Sequence, residues 1–197
     1  MNSSNLESQV SVSGYESRIP AVLVLLRRHF LLMNGGNSEG IFRLAPDNEA
    51  CQKAKDDINR GEFDGCSDVN IVANLLKQFF RDFPGGICSK FPPKIIYQAA
   101  EADTEGANAV LFTIDEPWLS LILWLLDMLA DVVKNEGTNK MTCQNIATCI
   151  SPNLIDPSSS MDNPMAAMTK VKSVSDFVTK ILAARLKFHH GYICSGI

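Results

Sequence analysis

The sequence lacks the marks of several protein classes, and each absence narrows what it can be. Its six cysteines (Cys51, Cys66, Cys88, Cys143, Cys149 and Cys194) include no CxxC pair. Cys143 and Cys149 flank a short helical segment without a histidine nearby, so the spacing argues against a zinc site. Several of the cysteines fall among apolar residues, as reduced, core-packed thiols do. Histidine is scarce: His29 lies in a helical segment, and His189 and His190 read as a solvated tail. None has a partner suited to nucleophilic hydrolysis. No long hydrophobic run is present. The longest, Trp118 to Ala130, is broken by Ser120 and Asp127 and is too short to span a bilayer. The polar, serine-rich stretch from Met1 to Ser17 is no secretion signal. With the unpaired cysteines, this points to the cytoplasm. Excess positive charge is missing too: the formal net charge is -4, which excludes a domain that coats nucleic acid. There is no alternating apolar pattern bounded by turn signals, and no internal repeat.

What remains is a helical sequence. The chain has 197 residues, 46% hydrophobic and 20% charged, enough for one soluble domain with a sizeable core. Residues 1–18 read as a flexible leader, 19–188 as the domain and 189–197 as a tail. An apolar helix from Ala21 to Met33 stops at Asn34-Gly35-Gly36. Asp47 is placed to cap a polar helix to Arg60, with Gly61 beyond its end. Asp68 is placed to cap the next, which closes by Pro84. Shorter helices are expected after Pro92-Pro93 through Ala100, and from Ala107 to Thr113. Asp115-Glu116-Pro117 opens a helix apolar nearly all round, expected to be central and buried. Thr142 caps a helix to Ile150, and a loop from Asp156 to Pro164 leads to a long last helix from Met165 to Phe188. The expectation is an all-α bundle of about eight helices, acting as a monomer.

Three groups of residues carry possible chemistry. On the helix from Val69 to Phe83, the residues Asn70, Asn74, Lys77 and Arg81 share one narrow face, opposite Val72, Leu75, Leu76, Phe79 and Phe83. Taken alone, such a stripe is most often a solvated helix face. Glu39-Gly40-Ile41-Phe42-Arg43 sets an arginine directly after two hydrophobic anchors, with Gly40 permitting a tight backbone. Arg43 is then either a held functional group or an ordinary surface arginine. Asn139-Lys140-Met141 precedes Ser151-Pro152-Asn153-Leu154, in which Asn153 sits just past a helix end, where capping is its ordinary role.

In this order and at these separations, the three blocks resemble the RhoGAP family over about residues 19 to 185. The turn Glu39-Gly40-Ile41-Phe42-Arg43, similar to the family's glycine–acidic–glycine turn ending in phenylalanine–arginine, the leucine–lysine helix Leu75-Leu76-Lys77 with Arg81 four residues on, and Asn139-Lys140-Met141 leading to Pro152-Asn153-Leu154 carry the likeness. The resemblance implies a helical domain that binds GTP-loaded Rho, Rac or Cdc42-type small GTPases. It makes Arg43 the arginine finger, Lys77 and Asn153 contacts to the GTPase, and Arg81, with Gly40, the support of the finger loop. GTP and Mg²⁺ would come with the partner, so the chain needs no cofactor of its own and is an activator rather than an enzyme. The alternative within the resemblance is a module that docks on a GTPase without accelerating hydrolysis. Two departures from the family pattern stand out. Ala45-Pro46 follows the finger where a small residue and glycine are usual, which is expected to stiffen the loop. Gly85-Gly86 follows Phe83-Pro84, which is expected to loosen that turn.

Overall fold

The computed structural model describes residues 8–156 and 164–194. The described chain forms nine α-helices: α1 (Ala21–Leu32), α2 (Asn48–Arg60), α3 (Val69–Arg81), α4 (Pro93–Glu101), α5 (Thr104–Leu111), α6 (Trp118–Val133), α7 (Glu136–Asn139), α8 (Cys143–Ile150) and α9 (Pro164–Cys194). The one beyond the expected eight is α7, a single turn. Three 3-10 turns, Gly35–Asn37, Ile87–Lys90 and Ser151–Asn153, punctuate the bundle.

Local chemistry sets most of the helix ends. Asp47 accepts from the Ala50 N–H at 2.8 Å, Asp68 from Asn70 at 2.8 Å and Thr142 from Asn145 at 3.2 Å, each satisfying an orphan donor of a first turn. Gly61 closes α2 at φ 74°. The α5 helix begins three residues before its expected start, because Asp103 caps it by accepting from Gly106 at 2.8 Å. At the head of α6, Glu116 accepts from the Ser120 hydroxyl at 2.8 Å and its N–H at 3.3 Å.

The α6 helix is the centre of the molecule. Leu121, Ile122, Trp124, Leu125, Leu126, Met128, Leu129, Val132 and Val133 are all buried along it, an all-round apolar surface that only a core position satisfies. Helix α9 packs on α4, α5, α6 and α8, and α1 packs on α3. Among the described residues no helix is long and apolar enough to cross a membrane.

The two polar interruptions of α6, Ser120 and Asp127, receive the segment before α1. Residues 8–18, expected as part of a flexible leader, are held on the bundle. The strand β1 (Gln9–Val10) pairs antiparallel with β2 (Ile19–Pro20), a ribbon too short to show in the sequence pattern. The Ser17 N–H donates to the Ser120 hydroxyl at 3.0 Å. The Tyr15 hydroxyl donates to Asp127 at 2.7 Å, and Arg185 of α9 bonds the same carboxylate through Nε and, at 2.9 Å, Nη2. Burial, then the carboxylate beside it, pushes the Tyr15 pKa above its ordinary value. The first seven residues of the expected leader and most of the loop before α9 lie outside the described residues. At the other end, α9 continues through Cys194 where a tail from residue 189 was expected.

Candidate functional site

Between α1 and α2 the chain makes one tight excursion, and Arg43 stands on it. The excursion starts at Asn34, in the left-handed region at φ 54°, and passes Gly35, which allows two helices to meet. A Cβ there would lie 2.7 Å from both the Phe30 ring of α1 and Val69 of α3. Ile41 and Phe42 are fully buried, with relative exposures of 0% and 1%, and the Phe42 and Phe30 rings lie 5.8 Å apart between centroids. Both Gly40 (φ 70°) and Phe42 (φ 67°) are left-handed. A bulky residue rarely adopts that conformation, and surrounding structure must hold it there.

That hold is visible. The Arg43 and Leu44 N–H groups both donate to the Gly40 carbonyl, at 2.9 and 3.0 Å. The Gly40 N–H donates to the Asn139 carbonyl at 2.8 Å. The Lys77 ammonium of α3 donates to the Phe42 carbonyl at 2.8 Å. The turn is therefore closed by its own bonds and tied from two sides, while Arg43 and Leu44 remain exposed. Gly40 is favoured by its φ, and space beside it is tight. A side chain there would meet Leu44 at 3.1 Å and the Arg43 guanidinium at 3.3 Å.

Lys77, Arg81 and Asn153 differ in what they touch. Arg81, expected to brace the turn, is exposed and makes no hydrogen bond to it among the described residues. Lys77, one helical turn earlier, does the bracing. Burial lowers the Lys77 pKa from its ordinary value, and the neighbouring Arg81 charge adds to this. Asn153 caps α8, its amide donating to the carbonyls of Cys149 at 3.1 Å and Ile150 at 3.4 Å. The Cys149 thiol lies in the field of both Lys77 and Arg43, although burial still raises its pKa. The Ser151–Asn153 turn packs against α3. Arg43, Lys77 and the Asn153 turn therefore share one region of the surface. Asn139 gave no sign of a separate role in the sequence; a buried asparagine before a left-handed Lys140 (φ 62°) is visible only in three dimensions.

Gly85-Gly86, expected to loosen its turn, tightens it. Gly86 is at φ 69° with backbone pressed against it: a Cβ would lie 2.5 Å from the Asp156 nitrogen and 2.6 Å from the Ile155 carbonyl carbon. The Cys88 N–H then bonds the Leu154 carbonyl at 2.9 Å, seating the segment that follows Asn153. Gly86→Ala is expected to destabilise the domain by about 3 kcal/mol, from left-handed strain plus overpacking. Gly85→Ala, with φ 74° but only the Ser89 side chain near at 3.4 Å, is expected to lose about 1 kcal/mol. Urea unfolding of the two variants checks the ordering.

Arg43 and Leu44 stand on open surface. A pocket of about 280 Å³ lies elsewhere, lined by Arg18, Phe79, Phe83, Lys90 and Trp118 among others. Among the described residues no group of three or more His, Cys, Asp or Glu side chains is placed to hold a metal ion. The arrangement is an exposed guanidinium on a rigid turn beside a second cation, which suits an anion presented by another molecule.

Comparison with known proteins agrees with that class. Residues 20–159 match the RhoGAP domain family model. The chain is 34% identical over 172 residues to Rho GTPase-activating protein gacA of Dictyostelium discoideum, covering 87% of this chain and 50% of that protein. It is 31% identical over 178 residues to Rho GTPase-activating protein 2 of Arabidopsis thaliana, covering 90% and 41%. The chain thus spans half or less of these two relatives. Among solved structures, human Rho GTPase activating protein 15 superposes with a TM-score of 0.66 at 18% identity, covering 81% of this chain and 80% of that one. The BH domain of GRAF, the GTPase regulator associated with focal adhesion kinase, does so with 0.64 at 17% identity, covering 84% and 93%. The chain belongs to the RhoGAP domain family.

Proposed function

We propose that this chain activates GTP hydrolysis by a Rho-family GTPase, with Arg43 entering the partner's active site as an arginine finger. The observation that carries the reading is the exposed Arg43 on a turn whose backbone is bonded from two sides, by Asn139 and Lys77, and anchored by buried Ile41 and Phe42. Hydrolysis moves negative charge onto the oxygens around the transferring γ-phosphoryl group. A planar guanidinium answers that charge with two parallel donors. Because the turn is rigid before binding, little reorganisation accompanies the reaction. The partner brings GTP, Mg²⁺ and the attacking water, and the domain acts as a monomer in the cytoplasm.

Lys77 has two tasks in this reading: it fixes the Phe42 carbonyl and adds positive potential beside Arg43. Asn153 keeps its cap and presents its side-chain oxygen to the GTPase. Lys77→Met is therefore expected to lower the maximal hydrolysis rate by about 10- to 100-fold, the equivalent of a charged hydrogen bond. Asn153→Ala is expected mainly to weaken binding, by about 1 kcal/mol. Rate and half-saturating concentration, measured for both variants, separate the two roles.

The test of the function itself is phosphate release from a panel of GTP-loaded Rho, Rac, Cdc42 and Ras proteins, with and without the domain. Acceleration confined to one or more Rho-family members supports the reading. A panel in which no Rho-family member is accelerated overturns it.

A further inference from the structure

We infer that Asn139 is a positioning residue for the arginine turn; the inference rests on reading Arg43 as the finger. Asn139 is 0% exposed, and its side chain is fully engaged. The amide nitrogen donates to the Gly36 carbonyl and to the Val132 carbonyl, each at 2.7 Å. The amide oxygen accepts from the Met141 N–H at 2.7 Å. Its own backbone carbonyl accepts the Gly40 N–H at 2.8 Å.

One residue therefore grips the excursion twice, at Gly36 through its side chain and at Gly40 through its backbone. The same amide reaches Val132 near the end of α6, so both grips are referred to the central helix. From the other side, Lys77 of α3 holds the Phe42 carbonyl. Arg43 follows immediately, so its Cα is located by two helices that belong to the core. The residue type fits the task. Two donors and one acceptor are needed in one plane within a dry site, and a primary amide provides them. Aspartate would set a carboxylate against two carbonyl oxygens, and an aliphatic side chain would leave the buried Met141 N–H unpaired and the half-buried Gly36 carbonyl without its donor, while the Val132 carbonyl keeps the Asn135 N–H at 3.1 Å. Asn139 touches neither nucleotide nor reacting atoms. Its effect is on placement, where a displacement of about 1 Å is enough to change a rate about 100-fold.

The experiment compares Asn139→Ala and Asn139→Ser with Leu182→Ala, a control in the buried face of α9 that destabilises without touching the turn. Single-turnover hydrolysis by an accelerated Rho-family GTPase is followed as domain concentration rises, after circular dichroism has confirmed folding. The maximal rate of the Asn139 variants is expected to fall about 10- to 100-fold, with the half-saturating concentration within about threefold of the parent's. Leu182→Ala is expected to keep the parent's maximal rate. Folded Asn139 variants that retain the parent's maximal rate overturn the inference, as does a control that loses as much.

Should neither Asn139 variant fold, hydrogen exchange of the parent's Gly40 amide decides. Exchange as slow as in α6 supports the clamp, and exchange at the rate of an unstructured peptide overturns it. A parent that accelerates no Rho-family GTPase would instead refute the activator reading, and the Gly40 amide would then judge the clamp alone.

Discussion

Replacing Arg43 with alanine is expected to remove nearly all of the acceleration, on the order of 10³- to 10⁵-fold in rate. Most of the binding to the GTP-loaded partner should survive. The asymmetry follows from when the charge exists. Bound GTP has little of the extra negative charge that the guanidinium answers, and the transition state has much more. Arg43→Lys should fail nearly as completely. An ammonium on a flexible stem keeps the charge but loses the paired, planar donors. A role that needed charge alone would let lysine rescue, so the two substitutions separate mechanism from location. The turn itself should be unaffected, because its fixed points are the backbone of Gly40 and Phe42 rather than the Arg43 side chain. Hydrolysis at saturating domain, beside affinity for a GTPase loaded with a non-hydrolysable analogue, reads both quantities. An Arg43→Ala domain that accelerates like the parent would contradict the assignment.

The second large effect is on stability and lies far from Arg43. Asp127→Ala is expected to destabilise the domain by about 3 kcal/mol, toward the lower end for breaking a buried ion pair. The Asp127 and Arg185 side chains retain 11% and 19% of their exposure. The loss has two parts: Arg185 is left with a half-buried charge, and the Tyr15 hydroxyl loses its acceptor. Asp127→Asn, which keeps an acceptor for Tyr15, should lose less. Hydrogen exchange should quicken across residues 8–20, since Tyr15 is one of their ties to α6, while the arginine turn stays protected. Chemical denaturation measures the loss, and a change below about 1 kcal/mol would show that the pair merely breaks even.

What was legible in the sequence divides by distance along the chain. Asp47, Asp68 and Thr142 could be read as caps because each bonds a backbone group two or three residues away. The buried character of α6 could be read because it is a property of one segment. The docking of residues 8–18 could not. Tyr15 and Asp127 are separated by 112 residues, and the serine and aspartate that receive the segment look in sequence like defects in an apolar helix. The site shows the same limit. Lys77 and Arg81 lie on one stripe of α3, and a helical wheel does not tell which of them reaches a carbonyl 35 residues before Lys77. In sequence the Gly85-Gly86 pair suggests slack, whereas backbone packs directly on Gly86. Phe42's left-handed backbone has no local signal at all, since it is imposed by Lys77, Phe30 and the Gly40 turn.

The central claim, that Arg43 acts on the transition state, is tested most directly by binding to a planar mimic of the transferring phosphoryl group. A Rho-family GTPase loaded with GDP and aluminium fluoride, in Mg²⁺, is titrated with the parent domain and with Arg43→Ala. The same GTPase loaded with a non-hydrolysable GTP analogue serves as reference. The account predicts that the parent binds the aluminium fluoride form more tightly than the reference, by about 100-fold or more, and that Arg43→Ala loses this preference while still binding the reference. A parent with equal affinity for the two forms, or an Arg43→Ala domain that keeps the full preference, would contradict it.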